Sequence, residues 1–249
     1  MATVVMVHGA GNALWGPSSI KARWYPSLAD GLAWHDVTVD EGDVAVAFYG
    51  DLFRADPERG YQPPLDIKAT LASLSDVLTS AEPAVDLDEM VKVLAEQHLD
   101  RLLAQAGAYF ADEGIRRTAR QRVADALGPD TRVLVAHSLG TVVAYEALCE
   151  HPEWPVTHFV TLGCPLAGDA VLGFVRPAAE GGRGRFPGGL RSWTNIRNAA
   201  DPACLNLVAD RFPGAVDRVV DNGHRVHDPE PYLNNPVTGA AVAAGLTGP

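Results

Sequence analysis

The sequence predicts a doubly wound α/β domain, with a mostly parallel central sheet and helices on both faces. Three observations predict it. Short apolar, β-branched runs recur along the 249 residues and alternate with helical patterns. Most of these runs are apolar at every position instead of every second one, as strands covered on both faces are. The composition, 47% hydrophobic and 20% charged, is that of a globular chain long enough to bury a core without staples.

The elements follow in order. Thr3–Val7 is the first strand candidate, then a helical segment at about Ala22–Ala33 and a strand at Val44–Tyr49. From Pro63 to Leu127 the pattern is helical throughout. Ile67, Leu71, Leu74 and Leu78 recur on one face. Asp86 and Glu89 have capping-box spacing, and Leu87, Met90, Val91, Leu94, His98 and Leu102 follow on one face. Such a face makes His98 a core histidine. Arg116–Leu127, stopped by Gly128-Pro129, serves as the crossover into a strand at Arg132–Ala136. Pro63–Gly114 is then surplus to a plain crossover, a helical insert that either caps a site or packs as a decorative pair. Next come a helix at Thr141–Glu150, strands at His158–Leu162, Ser192–Arg197 and Asp217–Val220, and a last helix near Pro236–Leu246. Ala178–Leu190 reads as a flexible glycine-rich loop whose Arg183 and Arg185 are solvated. The whole chain, 1–249, is expected to form one domain carrying the insert at about 63–114.

Several function classes are disfavoured. A net charge of −11 leaves no basic surface for nucleic acid or an anionic membrane. Three cysteines cannot build a disulfide framework. The opening apolar run, Val4–Val7, is too short for a signal peptide, and nowhere do ~18 apolar residues run together. The expectation is a cytoplasmic protein that acts on a small molecule.

Its chemistry centres on Arg132–Gly140. An apolar strand runs into Ala136-His137-Ser138-Leu139-Gly140, and a helical segment follows at once. That is the strand–turn–helix setting of the nucleophile elbow, G-x-S-x-G, with Ala136 in place of the first glycine. The tight turn needs small residues two before and two after the serine, and Ala136 and Gly140 meet that need. Ser138 would stand above the sheet, with unpaired N–H groups at the helix start behind it. The first strand leads into His8-Gly9-Ala10-Gly11-Asn12, a glycine loop suited to a second oxyanion donor. The expected oxyanion hole is the backbone N–H groups of Ala10 and Leu139, with His8 structural.

On these motifs the chain resembles the α/β-hydrolase superfamily, and most of all its bacterial lipase- and esterase-like serine hydrolases. These also carry a Gly-x-Pro-Leu segment after the next strand, here Gly163-Cys164-Pro165-Leu166. The resemblance implies an α/β-hydrolase fold and the order nucleophile, acid, histidine. The acid is then Asp201, in the loop after Ser192–Arg197, with Asp169 as the fallback. The histidine is His227, set before Tyr232-Leu233 as in similar members, in preference to His224. His224-x-x-His227 makes a poor metal pair, because no third ligand set accompanies it. Trp15 either walls an acyl pocket or packs; Cys164 and Cys204 fill space near the rim.

The expected activity is a serine esterase or thioesterase: a catalytic triad of Ser138, Asp201 and His227 cleaves a small acyl substrate through an acyl-enzyme. No cofactor and no metal are implied. Two alternatives stay open: an acyltransferase or cyclising, offloading enzyme using the same residues, and a non-catalytic binding module on the same scaffold.

Overall fold

The computed structural model describes residues 2–54, 99–204 and 206–248. Six strands form one sheet: β1 (Val4–Val7), β2 (Val44–Ala47), β3 (Val133–His137), β4 (His158–Leu162), β5 (Ser192–Asn198) and β6 (Ala215–Val220), in the order β2-β1-β3-β4-β5-β6. Every pairing is parallel. Parallel strands need helices on both faces, and the side chains divide accordingly. Val5, Val7, Leu134, Ala136 and Phe159 enter one core, while Val4, Met6, Val133, Val135 and Val160 enter the other. Alternate residues thus point into different cores, and the strands read as continuous apolar runs.

Eight helices are described. α1 (Pro17–Ala33) and α8 (Pro236–Thr247) cover the second core with the short α7 (Pro229–Leu233). α2 (Leu99–Ala111), α3 (Glu113–Ala126) and α4 (Leu139–Glu150) lie on the side of the first. α5 (Asp169–Leu172) and α6 (Val208–Arg211) are single turns. None of the described helices is long and apolar enough to cross a membrane.

Most element ends shift by a few residues from expectation, and two of the shifts have a local cause. α1 begins at Pro17, because Pro17 sits in its first turn, where the missing N–H costs nothing, and Ser18 and Ser19 continue the helix. The expected end of the insert at Gly114 falls inside α3. Asp112 caps that helix by accepting the N–H groups of Gly114 and Ile115, so the break is at Asp112. The Asp86–Glu89 capping box, His98 and the rest of 63–98 lie outside the described residues.

The strand order reverses between β1 and β3, whose neighbour on the far side of β1 is β2. In open parallel sheets the crevice beyond the carboxyl ends of the strands at such a switch is where ligands bind. Here it brings the His8–Asn12 loop after β1 beside the Ser138 turn after β3: a Cβ on Gly9 would stand 2.7 Å from that of Ser138.

Candidate active site

The turn at Ser138 is forced into an unusual shape. Its backbone has φ 54° and ψ −129°, a region that costs a non-glycine residue on the order of 1–3 kcal/mol and persists only where the surroundings impose it. Gly140 shows how they do so. A Cβ there would stand 2.4 Å from the carbonyl oxygen of His8 and 2.6 Å from that of Val7, so α4 can start against β1 only with glycine at this position. Ser138 N–H donates to Leu162 O at 3.0 Å, and Thr141 N–H and Oγ both donate to Ser138 O. Leu139 is the first residue of α4, ahead of the intrahelical ladder. Neither its N–H nor that of Ala10 donates to another described residue. The Ala136 departure is accommodated without a gap, fully buried in the first core.

Ser138, His227 and Asp201 come together. His227 Nε2 lies 2.9 Å from Ser138 Oγ, and His227 Nδ1 lies 2.8 and 2.9 Å from the two Asp201 oxygens. A carboxylate can only accept, so the Nδ1–H of His227 donates to Asp201 and its Nε2 lone pair accepts the Ser138 hydroxyl. Asp201 is 2% exposed. Burial acts to raise its pKa, but hydrogen bonds from His227, Tyr232 Oη and the Ala203 N–H outweigh it and hold the carboxyl below the usual range. Gly163 leaves room for this pair. Its φ is +56°, and a Cβ there would stand 3.0 Å from Asp201 Oδ2 and 3.1 Å from His227 Nδ1.

The competing residues lie elsewhere. Asp169, the fallback acid, pairs with Arg211 at 2.7 Å. His224 is exposed. Trp15 is 40% exposed and lies against Arg23, whose guanidinium is 4.8 Å from its ring centroid. Arg183 and Arg185 are exposed. Cys164 and Cys204 are buried, and burial raises both thiols, Cys164 to about 11, so neither is an activated nucleophile. Among the described residues no group of three or more His, Cys, Asp or Glu side chains is placed to hold a metal ion.

Sequence patterns alone do not reach two supporting residues. Tyr232 is fully buried; its hydroxyl accepts the Asn198 N–H and donates to Asp201 Oδ2, both at 2.8 Å, giving that carboxylate a second side-chain donor besides His227. The signal in the sequence is a tyrosine five positions after His227, which points to a helix and says nothing of its hydroxyl. His137 precedes the serine; its Nε2 stands 2.8 Å from His227 O and so donates to it, which pins the histidine loop to the elbow.

The structure leaves His8 and His137 neutral. His8 Nδ1 donates to Gly9 O, and its Nε2 accepts the Tyr49 N–H. Burial lowers His8 to about 4; burial, then the neighbouring His227, lowers His137 to about 3. Unfolded histidine titrates near ~6.5. As pH falls below that value the unfolded chain takes up protons that the folded chain refuses. This stability is therefore full above the unfolded value and is lost as pH falls towards about 4 for His8 and about 3 for His137. Asp201 acts with the same sign at lower pH. The expected unfolding free energy is flat near pH ~7 and drops between ~6 and ~4, by up to ~1.4 kcal/mol per pH unit for each histidine, and the urea midpoint drops with it. An unchanged midpoint across that window contradicts the assignment.

Compared with known proteins, the chain matches no family model and no curated protein.

Proposed function

We propose that the chain is a serine hydrolase of the α/β-hydrolase type, cleaving an ester or thioester of a small acyl substrate. One observation carries this reading: the unbroken hydrogen-bonded line from Ser138 Oγ through His227 to buried Asp201. His227 Nε2 takes the hydroxyl proton as Ser138 Oγ attacks the acyl carbonyl carbon. The carbonyl π-electrons move onto oxygen, and the N–H groups of Ala10 and Leu139 are the donors we assign to that oxyanion. Collapse expels the alkoxide or thiolate, which receives the proton from His227, and leaves the acyl group on Ser138. Water then repeats the sequence: His227 removes its proton, the hydroxide adds to the acyl carbon, and Ser138 leaves carrying the proton. Asp201 stays ionised throughout and stabilises the imidazolium.

The test is a panel of nitrophenyl esters of varied acyl length, with a thioester and an amide control, and product analysis by mass. The expected result is free acid as the product, with turnover lost in Ser138→Ala. Turnover that survives Ser138→Ala overturns the reading. Product trapped on an added alcohol or amine in place of water would instead make the protein an acyltransferase.

A further inference from the structure

α2 carries Leu102, Ala106, Tyr109 and Phe110 at the i, i+4, i+7, i+8 spacing of an apolar stripe; Ala106, Tyr109 and Phe110 pack on the first core, and Leu102 lies against Gly11. Gln105 interrupts it. Its Oε1 accepts the Gly11 N–H at 2.8 Å, reaching the loop after β1 from 94 residues away in sequence. Leu102 packs beside it, its Cδ2 standing 2.7 Å from where a Cβ on Gly11 would be.

His8, at the start of this loop, is also held from a distance by Tyr49, whose N–H and hydroxyl donate to His8 Nε2 and His8 O; the side-chain bonds that reach Gly9 and Ala10 are local. His8 Nδ1 donates to Gly9 O, and Asn12 Nδ2 donates to Gly9 O and Ala10 O. They hold carbonyls, while Gln105 holds the N–H that follows Ala10. The helix presenting Gln105 is anchored one turn further on: Tyr109 Oη donates to the fully buried carboxylate of Glu146 at 2.6 Å, and the Arg116 guanidinium lies 5.6 and 5.7 Å from the Tyr109 and Phe110 ring centroids. Glu146 belongs to α4, the helix that starts directly after Ser138. One rigid path thus ties the helix behind the nucleophile to the loop that carries the opposite oxyanion donor.

We propose that Gln105 is a positioning residue for the oxyanion loop: by holding the Gly11 N–H it fixes the register of the turn at Gly9, Ala10 and Gly11, so that the Ala10 N–H stays available to the acyl oxygen. This rests on the serine hydrolase reading. On this proposal α2 orders part of the site instead of serving as surface packing.

Gln105→Met keeps the size of the side chain and removes its acceptor oxygen; Gln105→Ala removes both. The two are compared with the native chain by steady-state turnover of a nitrophenyl ester, inhibition by a trifluoromethyl ketone of matching acyl length, and urea unfolding. Both variants are expected to lower kcat about tenfold, part of the ~10²–10³ that loss of a whole oxyanion donor costs. KM stays within about twofold, and the ketone, whose hemiketal oxygen needs the same donors, weakens by the same factor as kcat. The unfolding midpoint of Gln105→Met stays native. A Gln105→Met variant with native kcat overturns the proposal, as does one that loses activity while binding the ketone as tightly as before. A native chain that turns over no acyl substrate and leaves Ser138 unlabelled by a fluorophosphonate overturns the hydrolase reading itself, and the proposal with it.

Discussion

Asp201→Asn is expected to lower kcat by about 10⁴-fold while leaving the protein folded, the scale of the equivalent change in a serine triad. Asp201 accepts the Nδ1–H of His227, and this dictates which ring nitrogen is left to take the Ser138 proton. An asparagine amide turned towards that ring donates where the carboxylate accepted, so the favoured tautomer carries its proton on Nε2. Nε2 then faces Ser138 as a donor and cannot act as a base. The imidazolium formed during attack also loses the buried charge that balances it. Asparagine has the same shape, and its oxygen can still accept from Tyr232 or Ala203, which argues for an intact fold. Turnover of a nitrophenyl ester, with circular dichroism as the folding control, checks this. A folded variant within about tenfold of native activity would contradict the assigned role of Asp201.

Glu146→Gln is expected to lower stability by about 3–5 kcal/mol, the cost of breaking a buried ion pair on one side. The Glu146 carboxylate is fully buried and receives Arg116 through two nitrogens, Arg120 Nη1 at 3.4 Å, Tyr109 Oη and the Arg176 N–H. Arg116 is 3% exposed and Arg120 8%. With glutamine in place, two guanidiniums in the interior face a neutral amide whose NH₂ repels them, and Arg116 has no second carboxylate partner among the described residues. Arg120 keeps Glu150 at 2.9 Å, which limits the loss on its side. Urea unfolding at neutral pH measures the difference, and a change under about 1 kcal/mol would mean that the cluster is solvated in a way its burial does not indicate. Because the carboxylate joins α2, α3 and the Phe174–Arg176 segment to the helix that follows Ser138, activity in this variant should fall at denaturant concentrations where the native chain still works.

What is legible in the sequence follows from how each feature is encoded. The strands are readable because a parallel strand buried on both faces is an unbroken apolar run, and His158–Leu162 has the expected bounds. Ser138 is readable because the nucleophile-elbow pattern is local: strand, small residue, serine, small residue and helix, all inside nine positions. Asp201 and His227 are readable only through the order that the resemblance supplies, since Asp169 follows the preceding strand as a rival acid and His224 shares the loop of His227. Side chains that act across long sequence distances leave no local trace. Glu146 looks like an ordinary helix carboxylate until α3 brings Arg116 and Arg120 against it. Gln105 is one polar residue on an apolar stripe, and its partner is a backbone N–H, which no side-chain pattern can announce. Tyr232 stands out in sequence for its place in a helix and not for its hydroxyl. The insert reads from sequence as ending at Gly114 instead of Asp112 because the Asp112 cap is a matter of side-chain geometry.

On the proposed reading, Ser138 is a nucleophile activated by His227. Incubating the folded chain at neutral pH with a fluorophosphonate, then digesting it and locating the adduct by mass spectrometry, tests this without knowledge of the substrate. The expected result is one adduct, on the peptide containing Ser138, absent from Ser138→Ala and strongly slowed in His227→Ala. A folded native chain that stays unlabelled, or a Ser138→Ala chain labelled as fast as the native one, would contradict it.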